Sequence, residues 1–436
     1  VTALTPARAN DLVTTLGLAS LVLAALFFAL RPEVWRRLWL VRVDPRPLAL
    51  TRIAFGLVVL WGFLALAGDA RVLFSDEGLW LPEQARARFG GGLKLTVLHW
   101  WSPPGLVFTL YALMLVALAL MTLGLWTRWT TLAAWGLVLQ IQRYQFMHYS
   151  GADFVIANFL FLGALSRWGE AYSLDRWRRR AAPGTAPAPV PAWPMRLMML
   201  QLALIYCATG LSKRGELWAN GEALYYALNL DHFYRIPAQT MVAWLQQAGV
   251  LPVLTHVVRW WEVLFPLALV GVALRGYEAD RRAGRWSVAP AWRRRLSWVV
   301  AAGVWLLLAV ILGVLGAHHG APAGVPAVGA RRALALTALV VVAPLLVIPI
   351  YRRVRVRPGP AGLLLHWVLG KRTWLVVGVL LHLGIDLFIN VGTFAELMLA
   401  VYVVWLTPAE LDAARSWLRS LRRPAAEIDP VHFGSS

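Results

Sequence analysis

The residue of this sequence best placed to do chemistry is Lys213, in the stretch TGLSKRGELWANGEALYYAL at 209–228. It stands where a long apolar run, 196–212, gives way to polar residues. A lysine there either snorkels from a helix end into the headgroup layer or serves a site. Only Lys94, Lys213 and Lys371 are lysines, against 39 arginines, so the chain writes its generic positive charge as Arg. Arg214 next door already supplies a snorkelling cation. Lysine, unlike arginine, loses its proton when buried or set beside another cation, and so can act as a general base. Gly210, Gly215 and Gly221 allow tight backbone geometry around it, and Trp218 follows within the same stretch.

Three further groups could serve such a base. His256, Arg259 and Glu262 in THVVRWWEVLFPL are three residues apart, which sets them near one face of a helix. They read either as a polar cavity wall or as a self-satisfied Arg259–Glu262 pair that locks packing. His382 and Asp386 in HLGIDLFINVGTF share a face at i,i+4, although a lone buried histidine is more often a packing residue. RYQFMHYSGAD at 143–153 is a short hairpin carrying His148 and Asp153, either an interfacial turn or a pocket edge. The pair His318–His319 has no further ligands nearby, so no metal site is expected. P-loop, GxGxxG, HExxH and GxSxG patterns are absent, which removes the usual nucleotide, zincin and hydrolase readings.

The elements that must position these residues are membrane helices. Of 436 residues 59% are hydrophobic and 15% charged, which excludes a soluble enzyme. The net charge of +20 comes in short bursts between apolar runs, a pattern of membrane orientation and not of nucleic-acid binding. The single cysteine, Cys207, excludes an internal disulfide and a CxxC redox pair. Eleven apolar runs are long enough to read as spans: 11–30, 49–67, 105–125, 129–147, 153–166, 196–212, 252–274, 297–315, 333–350, 373–390 and 393–407. With the N-terminus outside and the C-terminus cytoplasmic, inside segments hold 30 Lys and Arg and outside segments 11. The reading is an all-α polytopic membrane protein of about eleven helices.

Its expected organisation is an N-terminal helix and basic cytoplasmic segment at 1–43, then a core at 44–274 with long outside loops at 68–104 and 213–250. Basic loops and a helical hairpin follow at 275–372, then a final helix pair at 373–408 and a cytoplasmic tail at 409–436.

Several motifs then fall in order. DPRPLALTRIAFG at 44–56 opens a helix, GLWTR at 124–128 is a Gly-Leu-x-x-Arg turn, and YSLD at 172–175 follows the next span. Tyr206, Gly210, Lys213, Trp218 and Gly221 form a spaced set, and His382, Gly392 and Phe394 lie near the end. Together they resemble the HTTM (horizontally transferred transmembrane) family and, within it, the membrane domain of vitamin K-dependent gamma-glutamyl carboxylase.

The resemblance implies that Lys213 is the base, with Trp218, His256, Arg259, Glu262, His382, His148 and Asp153 lining or tuning its pocket. It also implies the cofactor, reduced vitamin K or another isoprenoid quinol. The lysine deprotonates the quinol, which reacts with oxygen to give a strongly basic, epoxide-forming intermediate. That base takes the γ-proton of a glutamate, and the carbanion captures carbon dioxide. The implied partners are membrane lipid or quinone and a peptide or protein glutamate, and not nucleic acid. The implied location is the extracytoplasmic face of a bacterial inner membrane, and Arg-for-Lys usage suggests a GC-rich genome.

Three departures shape the expectation. The Asn-Asn-His turn of the carboxylase is HYSGAD here, residues 275–372 read as an insertion, and the sequence ends at 436 without the carboxylase's large lumenal domain. The quinone half of the chemistry is therefore the expectation carried furthest. The rival from another class is a non-catalytic binding or maturation factor that uses the helical bundle to hold a lipid or peptide. A transporter ranks third.

Overall fold

The computed structural model describes residues 6–91, 94–144, 150–179, 185–230, 235, 238–286, 289–319, 330–354 and 359–421. They fold almost wholly into helices, and the protein is an all-α membrane protein. The principal helices are α1 (Pro6–Leu30), α2 (Arg46–Ala65), α3 (Pro104–Leu123), α4 (Thr127–Gln142), α5 (Gly151–Leu165) and α6 (Trp193–Ser212). They continue with α7 (Val250–Leu264), α8 (Pro266–Arg282), α9 (Ala291–His319), α10 (Ala330–Val354), α11 (Lys371–Phe388) and α12 (Phe394–Tyr402). Proline stands in the first turn of α2, α3, α6 and α8, where its missing N–H has no intrahelical partner to lose.

Among the described residues seven helices are long and apolar enough to cross a bilayer, or nine if each of two bent pairs is one span. The expected eleven included 129–147 and 153–166. The helices found there, α4 and α5, have 16 and 15 residues. At 1.5 Å per residue those reach about 24 and 22 Å, so neither is among the seven. The run expected at 252–274 is longer than expected, a helical segment from Val250 to Arg282, so the first part of the basic loop expected after it is helical. The two bent pairs are Pro360–Val368 with Lys371–Phe388, at 56°, and Phe394–Trp405 with Pro408–Leu421, at 108°. Leu18, Leu21 and Val22 of α1 and Leu345 and Leu346 of α10 are exposed, an apolar surface that lipid would cover and water would not.

The chain divides into two compact units: Val1–Arg42 with Pro191–Leu399, and Val43–Val190 with Ala400–Ser436. In the second unit α2 packs on α3, α3 on α4 and α4 on α5. Its core is Leu48, Phe55, Met114, Leu118, Met121, Phe159 and Trp168, all with negligible exposure. Phe55 stacks on Phe159 with ring centroids 5.8 Å apart. In the first unit α1 and α10 pack on α9, and α6 packs against α7 and α8.

Candidate functional site

Lys213 ends α6, and its place there follows from one helical face. Tyr206, Gly210 and Lys213 are spaced i, i+4 and i+7, so they lie in one line along the helix. That line faces α7. A Cβ at Gly210 would come within 2.6 Å of the Val263 backbone nitrogen and 2.9 Å of Glu262 Cβ. Glycine is therefore what lets α7 approach closely enough for Glu262 to reach the end of α6. The Lys213 ammonium donates to Glu262 Oε2, and the two form an ion pair. Nζ also lies 5.5 Å from the centroid of the Trp218 ring, within cation–π range. The Lys213 side chain is 22% exposed and that of Glu262 10%.

The loop that returns Trp218 to the lysine turns at Gly215, with φ +96°, and at Gly221, with φ +79°. At Gly221 a Cβ would also meet Pro252 at 2.9 Å. The expected long loop 213–250 is largely short helices, at Glu216–Ala219, Ala223–Leu228 and Ala238–Gln247. The last two pack against α7, around Leu228, Val242 and Leu251.

Two turns back along α6, Tyr206 forms a 2.6 Å hydrogen bond with His382 Nε2 of α11. Its ring packs on Trp261 at 4.9 Å and Phe265 at 4.7 Å, and Trp261 and Phe265 lie 5.3 Å apart. His382 is buried and meets Phe394 edge-on at 5.8 Å. The Trp261 indole N–H donates to the Trp374 carbonyl, which ties α7 to α11. A charged pair at the end of α6 is thus followed inward by an aromatic wall and a second, neutral hydrogen-bonded pair.

Of the expected site residues, the structure brings together Lys213, Glu262, Trp218 and, deeper along α6, His382. Glu262 is paired with Lys213, so the anticipated Arg259–Glu262 pair does not form. Steps of three advance 300° around a helix, so residues 256, 259 and 262 fan across the surface. Glu262 falls on the buried face with Thr255 and Leu251, whereas His256 and Arg259 are half-buried and Arg259 lies over Trp260 at 5.6 Å. Asp386 does not work with His382 either, because it pairs with Arg235 at 3.0 Å. Asp153 caps α5, accepting from the Ser150 backbone N–H and, at 2.8 Å, from the Gln142 amide. It serves there as the cap of a helix in the second unit. His148 lies outside the described residues. Tyr206 was present only as a motif residue in the sequence reading; the 206/210/213 spacing is the signal that puts it on the lysine's face.

The earlier motifs have a different role. In the second unit they form one corner: Arg52 of α2 is fully buried and donates to the carbonyls of Trp168 and Tyr172. Gly124 ends α3 with φ +74°, where a Cβ would strike the Arg52 guanidinium and Ser173 at 2.4 Å. Asp175 accepts from the Trp126 and Thr127 backbone N–H groups at 2.7 and 2.8 Å and from the Thr127 hydroxyl at 2.6 Å. Burial works upward on this carboxyl, but those donors outweigh it and hold Asp175 below the usual carboxylate range. These residues build the bundle.

One corner and one lysine face thus account for most of the patterned residues between 44 and 265. The HTTM domain family matches residues 41–277, more than half of the chain, which takes in Arg52, Gly124, Asp175, Lys213 and Glu262 but not His382. Neither the curated proteins nor the solved structures contain a match to the chain. With its family-wide match falling on the residues that build that corner and carry that lysine, the chain belongs to the HTTM family.

Proposed function

We propose that this membrane protein is a carboxylase-like enzyme in which Lys213 is the base that deprotonates a reduced isoprenoid quinol. The observation that carries the reading is the position of the Lys213 amine, between the Glu262 carboxylate and the Trp218 ring at the mouth of an aromatic wall. The residues present fit a quinol: Trp218, Trp261, Tyr206 and Phe265 offer flat apolar faces, and one titratable amine stands beside them. Bound there, the quinol would supply an acidic hydroxyl and, with oxygen, the base strength needed to take a glutamate γ-proton before carbon dioxide adds.

The chain's own residues have separable tasks. Once Glu262 has taken a proton from the ammonium, the neutral Lys213 amine would receive the hydroxyl proton at Nζ. Glu262 holds that nitrogen in place and takes the proton on, which readies the amine for another cycle. Trp218 keeps Nζ over its π-face, and Trp261 and Phe265 exclude water from the inner side. Tyr206 and His382 brace α6 against α11, so that the lysine end does not drift.

The eleven-span arrangement, with the N-terminus outside and the lysine at the extracytoplasmic face of a bacterial inner membrane, belongs to this proposal. It is supported by the bias of positive charge between alternate segments. A second reading, a non-catalytic HTTM protein that holds a lipid or peptide, is favoured by one observation: Glu262 already engages the amine.

Quinol epoxidation by detergent-purified protein separates the two. Wild type and Lys213→Ala are compared under oxygen with naphthoquinols and benzoquinols, labelled bicarbonate and a glutamyl peptide, after both pass a test of folding. Epoxide from wild type and none from the variant supports the enzyme, and label in the peptide extends it to carboxylation. No epoxide from folded wild type with any quinol returns the lysine to structural service.

A further inference from the structure

The second unit holds a cavity of about 730 Å³ that the lysine chemistry does not use. It lies between Arg88, Phe89, Gly91 and Lys94 on one side and residues of α4 and α5 on the other. Its lining is divided by chemistry. Arg88, Lys94 and Arg143 supply three cations, and among the described residues no acidic residue lines it. Trp135 of α4 and Phe161 of α5, with ring centroids 5.3 Å apart, form part of an apolar wall, and Phe161 is 43% exposed.

Between the two lies Gln142, 8% exposed, whose amide nitrogen donates to Asp153 while its side-chain oxygen has no hydrogen-bond partner. That oxygen has no accessible surface of its own, so the cations and the aromatic wall are what a ligand meets. The Asp153 carboxylate accepts from the Ser150 backbone N–H and the Gln142 amide.

We propose that this cavity is a binding site for an anionic glycerophospholipid. The phosphate would sit among Arg88, Lys94 and Arg143, and an acyl chain would run along Trp135 and Phe161 out to the lipid-facing surface. The wall argues for a lipid over a free anion, because inorganic phosphate has nothing to bury against two aromatic rings. Lys94 fits the same logic. It is one of three lysines in a chain that otherwise uses arginine, and its flexible point charge suits a phosphate that a planar guanidinium need not grip bidentately.

The test is native mass spectrometry of the full chain, delipidated in detergent and titrated with phosphatidylglycerol, phosphatidylcholine or inorganic phosphate. Phosphatidylglycerol is expected to bind at least tenfold more tightly than phosphatidylcholine, and millimolar phosphate is expected not to displace it. Each charge contributes about fivefold near a membrane surface, so Lys94→Gln together with Arg143→Gln should weaken phosphatidylglycerol by about 25-fold. The same double variant should leave phosphatidylcholine unchanged. Equal retention of the two lipids by wild type overturns the proposal without recourse to any variant. Displacement by phosphate overturns the lipid assignment, and a folded double variant that still holds phosphatidylglycerol like wild type overturns the placement of the headgroup.

Discussion

Removing one member of the Lys213–Glu262 pair should cost far more than removing both. Glu262 is the better buried, 10% exposed against 22% for Lys213. Breaking a buried pair from one side costs about 3–5 kcal/mol, because the remaining charge stays desolvated without compensation. Lys213→Met strands the carboxylate and should therefore fall near the lower end, about 3 kcal/mol once its partial solvation is discounted. Glu262→Leu strands a lysine that can swing outward along Trp218, so about 2 kcal/mol is expected. The double variant replaces two charges by apolar side chains of similar size and should lie within about 1 kcal/mol of wild type. The coupling from the four-way cycle is then about 4–6 kcal/mol. Equilibrium unfolding with SDS in mixed micelles, followed by tryptophan fluorescence and circular dichroism, measures all four proteins. If each single change costs under about 0.5 kcal/mol, as exposed pairs do, and the double variant is their sum, the pair is a surface contact. The reasoning that assigns Lys213 a dry site would then fail.

Gly210→Ala should separate α6 from α7, since the new Cβ meets backbone at 2.6 Å; a loss of about 1–3 kcal/mol is expected, and an unchanged unfolding midpoint would contradict the close approach. Asp175→Ala removes three hydrogen bonds at the start of α4 and should cost about 2 kcal/mol without altering quinol turnover per folded molecule, which the epoxidation assay reads. His99 is buried with Nε2 3.0 Å from the Tyr144 carbonyl, and burial holds it below its ordinary value. The unfolded chain therefore takes up a proton first, so stability present at neutral pH should decline as pH falls below about 6.5. A denaturation series from pH 8 to 5 should show that slope in wild type and lose part of it in His99→Gln.

The helical class and the membrane setting were legible from the chain alone, because both rest on local properties. Apolar content over about twenty residues decides whether a segment can lie in lipid, whatever it touches. The scarcity of lysine marks Lys213 without any fold at all. Partner choice was not legible in that way. Arg259 is three residues from Glu262 and Lys213 is 49 away, yet the distant residue makes the pair. Helix rotation aims Glu262 inward and leaves Arg259 over Trp260, and Gly210 removes the side chain that would have kept α7 back.

His382 and Asp386 part company for a similar reason. They share an edge of α11, but α6 offers one of them a phenol and Arg235 offers the other a guanidinium. The corner of Arg52, Gly124 and Asp175 likewise joins three motifs through a buried guanidinium and a capped turn, contacts that sequence spacing does not encode. Periodicity orients a side chain on its own helix; only the packing of a second helix decides what that side chain meets.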